Sequence, residues 1–196
     1  IKRAQVLGLE GFPLFTRKVN SDVSYLSNAR KLLGMTDRIY PQFATHNAHS
    51  VAAILEMTQH FGIEKGKFEF QRLHGMGESL HDTVVEGDKT NCRIYAPVGA
   101  HQDLLAYLVR RLLENGANSS FVNQIVDENI SPEEIAKDPF DQVEALGDEI
   151  ANPYLTKPAD IFGEGRLNAK GWDITDPMEI AALDEARNKF KTHLWE

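Results

Sequence analysis

Cysteine is nearly absent: Cys92 is the only one in 196 residues. A single thiol rules out an internal disulfide and cannot by itself form a zinc site. It fits a reducing compartment. Basic excess is lacking too. The formal net charge of −8 leaves nothing to neutralise a phosphate backbone and argues against nucleic-acid binding through this segment. No apolar run approaches the ~20 residues of a membrane-spanning helix, and no signal peptide opens the chain. No G-x-G-x-x-G follows any extended segment, which disfavours a dinucleotide-binding open sheet. An initiator methionine is also missing. The opening "IKRAQ" resembles the middle of a helix, so the sequence is expected to be part of a longer protein.

What is present is a rhythm. The apolar fraction of 42% is that of an ordinary globular chain with a core. Extended segments at 14–19, 38–45, 68–75 and 92–99 are each followed by a helical pattern, at a spacing of roughly 25–30 residues, the length of a βα unit. Ser21 or Asp22 is a candidate start for the first helix and Gly34 its stop. Such alternation predicts a parallel sheet covered by helices. Polar residues gather at the strand ends: Thr16 and Lys18, Thr45 and His46, Gln71, and Tyr95. That placement suits the mouth of a (β/α)8 barrel, of which four units are half.

From about Ser131 the character changes. Ser131 to Glu134 forms a capping-box pattern with Pro132 after it. Residues 151–177 are rich in Pro, Gly and Asn without periodicity and are expected to form an arm that orders on contact. A helical pattern returns at Pro177, with acids early and bases late, and its strength at the C-terminus predicts that the protein continues there. The expected division is therefore 1–128, half of a barrel; 129–150, short acidic helices; 151–177, a linker arm; and 178–196, the start of a further helix.

Several residues carry candidate chemistry. His46 and His49 lie close together without the acid or cysteine partners a metal requires. Asn47 between them is a candidate helix N-cap. Asn118-Ser119-Ser120 matches a glycosylation sequon that, without a secretory signal, is discounted. Cys92 suits a small buried position. "GMGE", 75–78, is either a phosphate-facing turn or a tight loop. The helix "AYLVRRLLENGAN", 106–118, has an apolar face (Leu104, Leu105, Leu108, Val109, Leu112, Leu113) and a polar stripe (Tyr107, Arg110, Arg111, Glu114), with Asn115-Gly116 as its stop. The stripe is either a solvated face or a ligand-facing one. Two guanidinium forks would suit a small carboxylate.

Longer segments go beyond periodicity. "IYPQFATHNAHSVAAI", "FEFQRLHGMGE" and "RIYAPVGAHQDLLAYLVRRLLENGANSSFVN" together resemble the proline dehydrogenase domain of the proline utilization A family of bifunctional flavoenzymes. The likeness runs over nearly the whole chain, and even "PADIFGEGRLNAKGWDITDP" is similar to the stretch leading into that family's aldehyde dehydrogenase domain.

The resemblance implies an α/β fold, the C-terminal half (strands five to eight) of a (β/α)8 barrel followed by a helical and irregular arm. FAD would lie at the mouth and accept hydride from L-proline, giving Δ1-pyrroline-5-carboxylate. The hydrolysed product would be oxidised to glutamate with NAD in the family's own aldehyde dehydrogenase domain, which this sequence lacks. Arg110 and Arg111 would hold the proline carboxylate and Tyr95 would pack on its ring. Thr45, His46, Asn47, Gln71, Leu73 and Glu114 would contact FAD, with Thr16 and Lys18 as further contacts. No residue here is an obvious base for the proline amine. Quinone would be the electron acceptor, the protein cytoplasmic with peripheral inner-membrane association, and the parent a homo-oligomer. The strand bearing the family's "KGAYWD" motif is absent, so the isolated chain is expected to be inactive. Two rival readings are another (β/α)8 enzyme acting on a small anion and a non-catalytic docking segment.

Overall fold

Phe43, Phe70 and Cys92 lie opposite one another on three neighbouring parallel strands, and this row organises the larger part of the molecule. The computed structural model describes residues 1–115, 117 and 121–192. Its sheet has the order β1 (Gln42–Ala44), β2 (Glu69–Leu73), β3 (Asn91–Tyr95). Helices make the crossovers that parallel pairing requires: α3 (Ala48–His60) joins β1 to β2, and α4 (Glu78–Asp88) joins β2 to β3. Alternation along the strands sends Phe43 and Phe70 to the helical side. There they pack with Phe68, Val51 and Ile54 of α3, Val84 of α4, and Ala29 and Leu33 of α2 (Lys18–Leu33). The Phe68 and Phe70 rings meet edge to face at 5.8 Å. Each such side chain, fully buried, contributes about 2–3 kcal/mol.

The opposite face of the sheet carries a polar row. Gln42 and Glu69 are in register, and both Gln42 and Arg93 donate to the Glu69 carboxylate. After β3 come α5 (His101–Asn115), α6 (Phe121–Gln124), α7 (Pro132–Ile135) and α8 (Pro139–Glu144). Ser131 caps α7 by accepting the Glu134 N–H, as the capping-box pattern predicts. Helix α8 packs against α2. Residues 18–147 make up this unit.

The extended reading of 14–19 is corrected. Residues 14–17 form bends and irregular backbone, and Lys18 already belongs to α2, three residues ahead of the expected Ser21 start. Side-chain bonds take the place of a ladder. The Thr16 hydroxyl accepts the Asn152 N–H at 2.8 Å, and Arg17 donates to the Ala151 and Glu149 carbonyls. Asp22 pairs with Lys18 at 2.6 Å instead of capping the helix.

A second unit joins residues 1–17 to the described residues from Asp148 onward. It holds α1 (Lys2–Leu7), a 3-10 turn at Pro158–Asp160 and α9 (Pro177–Asn188), which Asp176 caps. The aperiodic arm is pinned to α1. Asn168 Nδ2 donates to the Gln5 and Pro158 carbonyls, and Gly171 N–H to the Gly8 carbonyl. Both glycines are required: a Cβ at Gly8 would sit 1.8 Å from the Ala169 oxygen, and one at Gly171 would sit 1.7 Å from the Leu7 oxygen. The sequon at 118–120, the Gly116 helix stop and residues 193–196 lie outside the described residues.

Candidate functional site

The C-terminal ends of the strands converge on one mouth. Thr45, His46 and Asn47 follow β1, Leu73 ends β2 and Tyr95 ends β3. Asn47 Oδ1 accepts the His49 N–H at 3.0 Å and so caps α3. Helix α5 presents Tyr107, Arg111 and Glu114 of its polar stripe toward this mouth. Tyr107 and Arg111 are half-buried, whereas Leu112 and Leu113 on the apolar face are each 72% exposed. The stripe is knit together by an Arg111–Glu114 ion pair of 2.7 Å, by the Arg111 guanidinium 5.6 Å from the Tyr107 ring centre, and by Tyr107 lying 6.2 Å from Tyr95. Arg111 Nε is buried without a hydrogen-bond partner among the described residues.

Two adjoining clefts open here. The larger, about 480 Å³, lies between Lys18, Asp22 and Tyr25 of α2, the Thr45–Asn47 turn and Glu114. The smaller, about 250 Å³, is lined by Gln71, Leu73, Tyr95 and Arg111 together with Thr45, His46 and Glu114, which the two clefts share. Nine of the eleven residues singled out in the sequence line one or both: Lys18, Thr45, His46, Asn47, Gln71, Leu73, Tyr95, Arg111 and Glu114. Arg110 is exposed and lines neither. Thr16 belongs to the other unit.

His46 is fixed as a neutral ring. Its Nε2 accepts the Leu73 N–H at 3.1 Å, so the ring proton resides on Nδ1. Burial, then the charges of His81 and Arg72, hold its pKa below the ordinary histidine value, while Glu114 pulls the other way. This engagement uses a nitrogen that a metal would need. Below His46 sits Gly77 in the left-handed conformation (φ 63°), where a Cβ would come within 2.9 Å of the imidazole. "GMGE" is thus a tight loop that brings the start of α4 against His46.

Sequence reasoning missed Tyr25, His81 and Arg72. The Tyr25 hydroxyl donates to the Ala44 carbonyl, and burial pushes its pKa up to about 12. Arg72 is only 8% exposed and its guanidinium binds the Leu73 carbonyl and Glu78. Their signal was faint: Tyr25 sits within a helix read only for its start and stop, and Arg72 alternates with residues already assigned to the mouth.

The proline dehydrogenase family profile matches residues 1–124. The chain is 52% identical to the bifunctional protein PutA of Salmonella typhimurium over 196 aligned residues, covering 95% of this chain and 15% of that protein. It is 33% identical to proline dehydrogenase 2 of Bacillus subtilis over 107 residues, 55% of this chain and 34% of that enzyme. A crystal structure of bifunctional proline utilization A superposes with a TM-score of 0.84 at 45% identity, covering the whole of this chain and 19% of that one. The proline utilization A of Bdellovibrio bacteriovorus, inactivated by N-propargylglycine, gives 0.76 at 31% identity over 98% of this chain and 19% of its own. The chain therefore spans about a sixth of the bifunctional relatives' length, and a profile covering well over half of its residues, seated on the strand ends just described, makes it a member of the proline dehydrogenase family.

Proposed function

We propose that the mouth holds FAD and that the whole protein oxidises L-proline to Δ1-pyrroline-5-carboxylate, with the proline carboxylate gripped by Arg111 and Arg110. The observation carrying this reading is Arg111 itself. A half-buried guanidinium stands at the strand ends, braced by Glu114 and Tyr107, with a buried Nε that lacks a partner among the described residues. A buried N–H without an acceptor is costly, and a carboxylate is the acceptor that best matches a guanidinium fork. Arg110, next along the helix and turned about 100° away, would complete the grip from the solvent side.

The residues present fit a flavin. The two adjoining clefts and their lining of hydroxyl, amide, imidazole and ammonium groups suit a polar, elongated dinucleotide. Thr45, His46, Asn47, Gln71, Leu73, Glu114 and Lys18 would hold it. Thr16, whose hydroxyl already accepts the Asn152 N–H, rests on its motif alone. When bound, FAD supplies the hydride acceptor. The chain's own part is orientation: Arg111 fixes the substrate's acid end, Tyr95 walls its ring, and His46 presents Nδ1–H from a ring that cannot turn. The proton of the proline amine has no acceptor assigned among these residues.

The sheet is inferred to belong to the C-terminal half of a (β/α)8 barrel, strands five to eight. Strands β1 and β3 each have one unpaired edge among the described residues, and the leucines of α5 are uncovered, as expected of a surface that neighbouring strands and helices complete. Residues 1–128 are assigned to that half, 129–150 to short acidic helices, 151–177 to the arm, and 178–196 to the approach to an NAD-dependent aldehyde dehydrogenase domain. Quinone re-oxidation of the flavin, peripheral membrane association and homo-oligomerisation complete the proposal. Among the described residues no helix is long and apolar enough to cross a membrane.

Replacing Arg111 with Met in the full-length protein tests the grip. FAD content should stay at the wild-type level while KM for L-proline rises at least about tenfold, the loss of one charge-assisted pair. An unchanged KM removes the carboxylate role.

A further inference from the structure

We infer that His81 is a positioning residue that locks the Thr45-His46-Asn47 turn into its ligand-binding shape; this rests on the flavin reading above. His81 lies on α4, outside both clefts, and is 1% exposed. Its Nε2 is 2.9 Å from the Thr45 carbonyl oxygen. A carbonyl only accepts, so Nε2 carries the proton and donates.

This bond completes the polar groups of Thr45. The Thr45 N–H donates to the Gln71 carbonyl and its hydroxyl accepts the Asn47 N–H. With the carbonyl tied to His81, the peptide joining Thr45 to His46 has one orientation. A part-buried carbonyl deprived of its donor would turn to find another, and the three side chains that line the cleft would turn with it.

A second constraint runs through the rings. The His81 imidazole stands edge-on to His46 with centroids 6.4 Å apart, and it packs on Phe70 of the core at 5.9 Å. Gly77, one helical turn before His81, closes the space beneath His46. The His46 ring is thereby held between the Leu73 N–H, the Gly77 backbone and the His81 edge. Through His81 the phenylalanine core is joined to the turn that lines the mouth. A site held by packed elements keeps its geometry better than one held by a loop alone.

The donor is separable from the ring by substitution. His81→Phe keeps an aromatic body against Phe70 and His46 but leaves the Thr45 carbonyl unpaired. His81→Gln returns an N–H donor at comparable reach. In the full-length protein, wild type first shows whether FAD binds at all; a wild type without flavin overturns the functional reading and this proposal with it. Given a flavin-loaded wild type, His81→Phe should fold, weaken FAD binding about tenfold or more and shift the visible flavin band, and His81→Gln should restore both to near wild type. Should His81→Phe not fold, a folded His81→Gln with wild-type FAD affinity and spectrum carries the same support. The proposal is overturned if folded His81→Phe keeps wild-type affinity and spectrum, or if folded His81→Gln loses as much affinity as His81→Phe. A change in melting temperature with no change in the flavin band also overturns it, because that is all a purely structural histidine would produce.

Discussion

At the scale of single residues, the polar stripe of α5 shows what a periodic pattern leaves open. Helical spacing separated an apolar face from a polar stripe that was either solvated or ligand-facing; Leu112 and Leu113 are exposed, and Tyr107 and Arg111 are half-buried. Periodicity finds two faces and gives no way to tell which neighbour each meets. Asn47 was legible because its bond is local, two residues away, whereas His81 was not, because its partner lies 36 residues away. Gly77 offers a test at this scale. Its φ of 63° costs an alanine about 1–2 kcal/mol, and the new Cβ would also press on His46. Gly75, with φ 80°, has nothing within 4 Å of such a Cβ. Both Gly→Ala variants should lower the melting temperature of the full-length protein, but only Gly77→Ala should lose flavin. Equal flavin retention in the two variants would contradict the role given to the Gly77–His46 contact.

At the scale of elements, the βα rhythm located three strands and their helices, because alternation and helical periodicity are properties of short windows. It failed at 14–19. The apolar and polar alternation there is real, but a strand also needs a partner to accept its ladder, and Thr16 and Arg17 bond instead to residues 149–152. The polar row across the sheet was equally hidden, since register between strands is not written in either strand alone. That row makes a pH prediction. Arg93, donating to the Glu69 carboxylate, holds it below its ordinary value of 4.5, helped by Gln42 and opposed by burial. The unfolded chain therefore takes up this proton first as pH falls. The stabilisation from Glu69 is complete above about pH 4.5 and is lost as pH drops through the depressed value. Glu69→Gln should melt lower than wild type at pH 7, and the gap should narrow on acidification toward pH 3. A gap that stays constant or widens would show that the carboxylate is not stabilised by Arg93.

At the scale of the whole molecule, the sequence pointed to the family through motifs long enough to be specific, and the family profile and relatives bear this out. It did not disclose that α1 and the arm fold together, because the bond from Asn168 to Gln5 joins positions 163 apart. An arm without periodicity carries no internal signal of what it clasps; the close backbone approach at Gly8 and Gly171, where a Cβ has no room, appears only in the structure. The proposed proline oxidation belongs to the entire protein, of which this chain is about a sixth by the length of its relatives. It is tested most directly by the visible spectrum of the purified full-length protein under anaerobic conditions, before and after L-proline is added. The account predicts a yellow, flavin-containing protein whose absorbance bleaches with proline; a flavin-loaded protein that keeps its oxidised spectrum in excess proline, or a folded protein that binds no flavin, would contradict it.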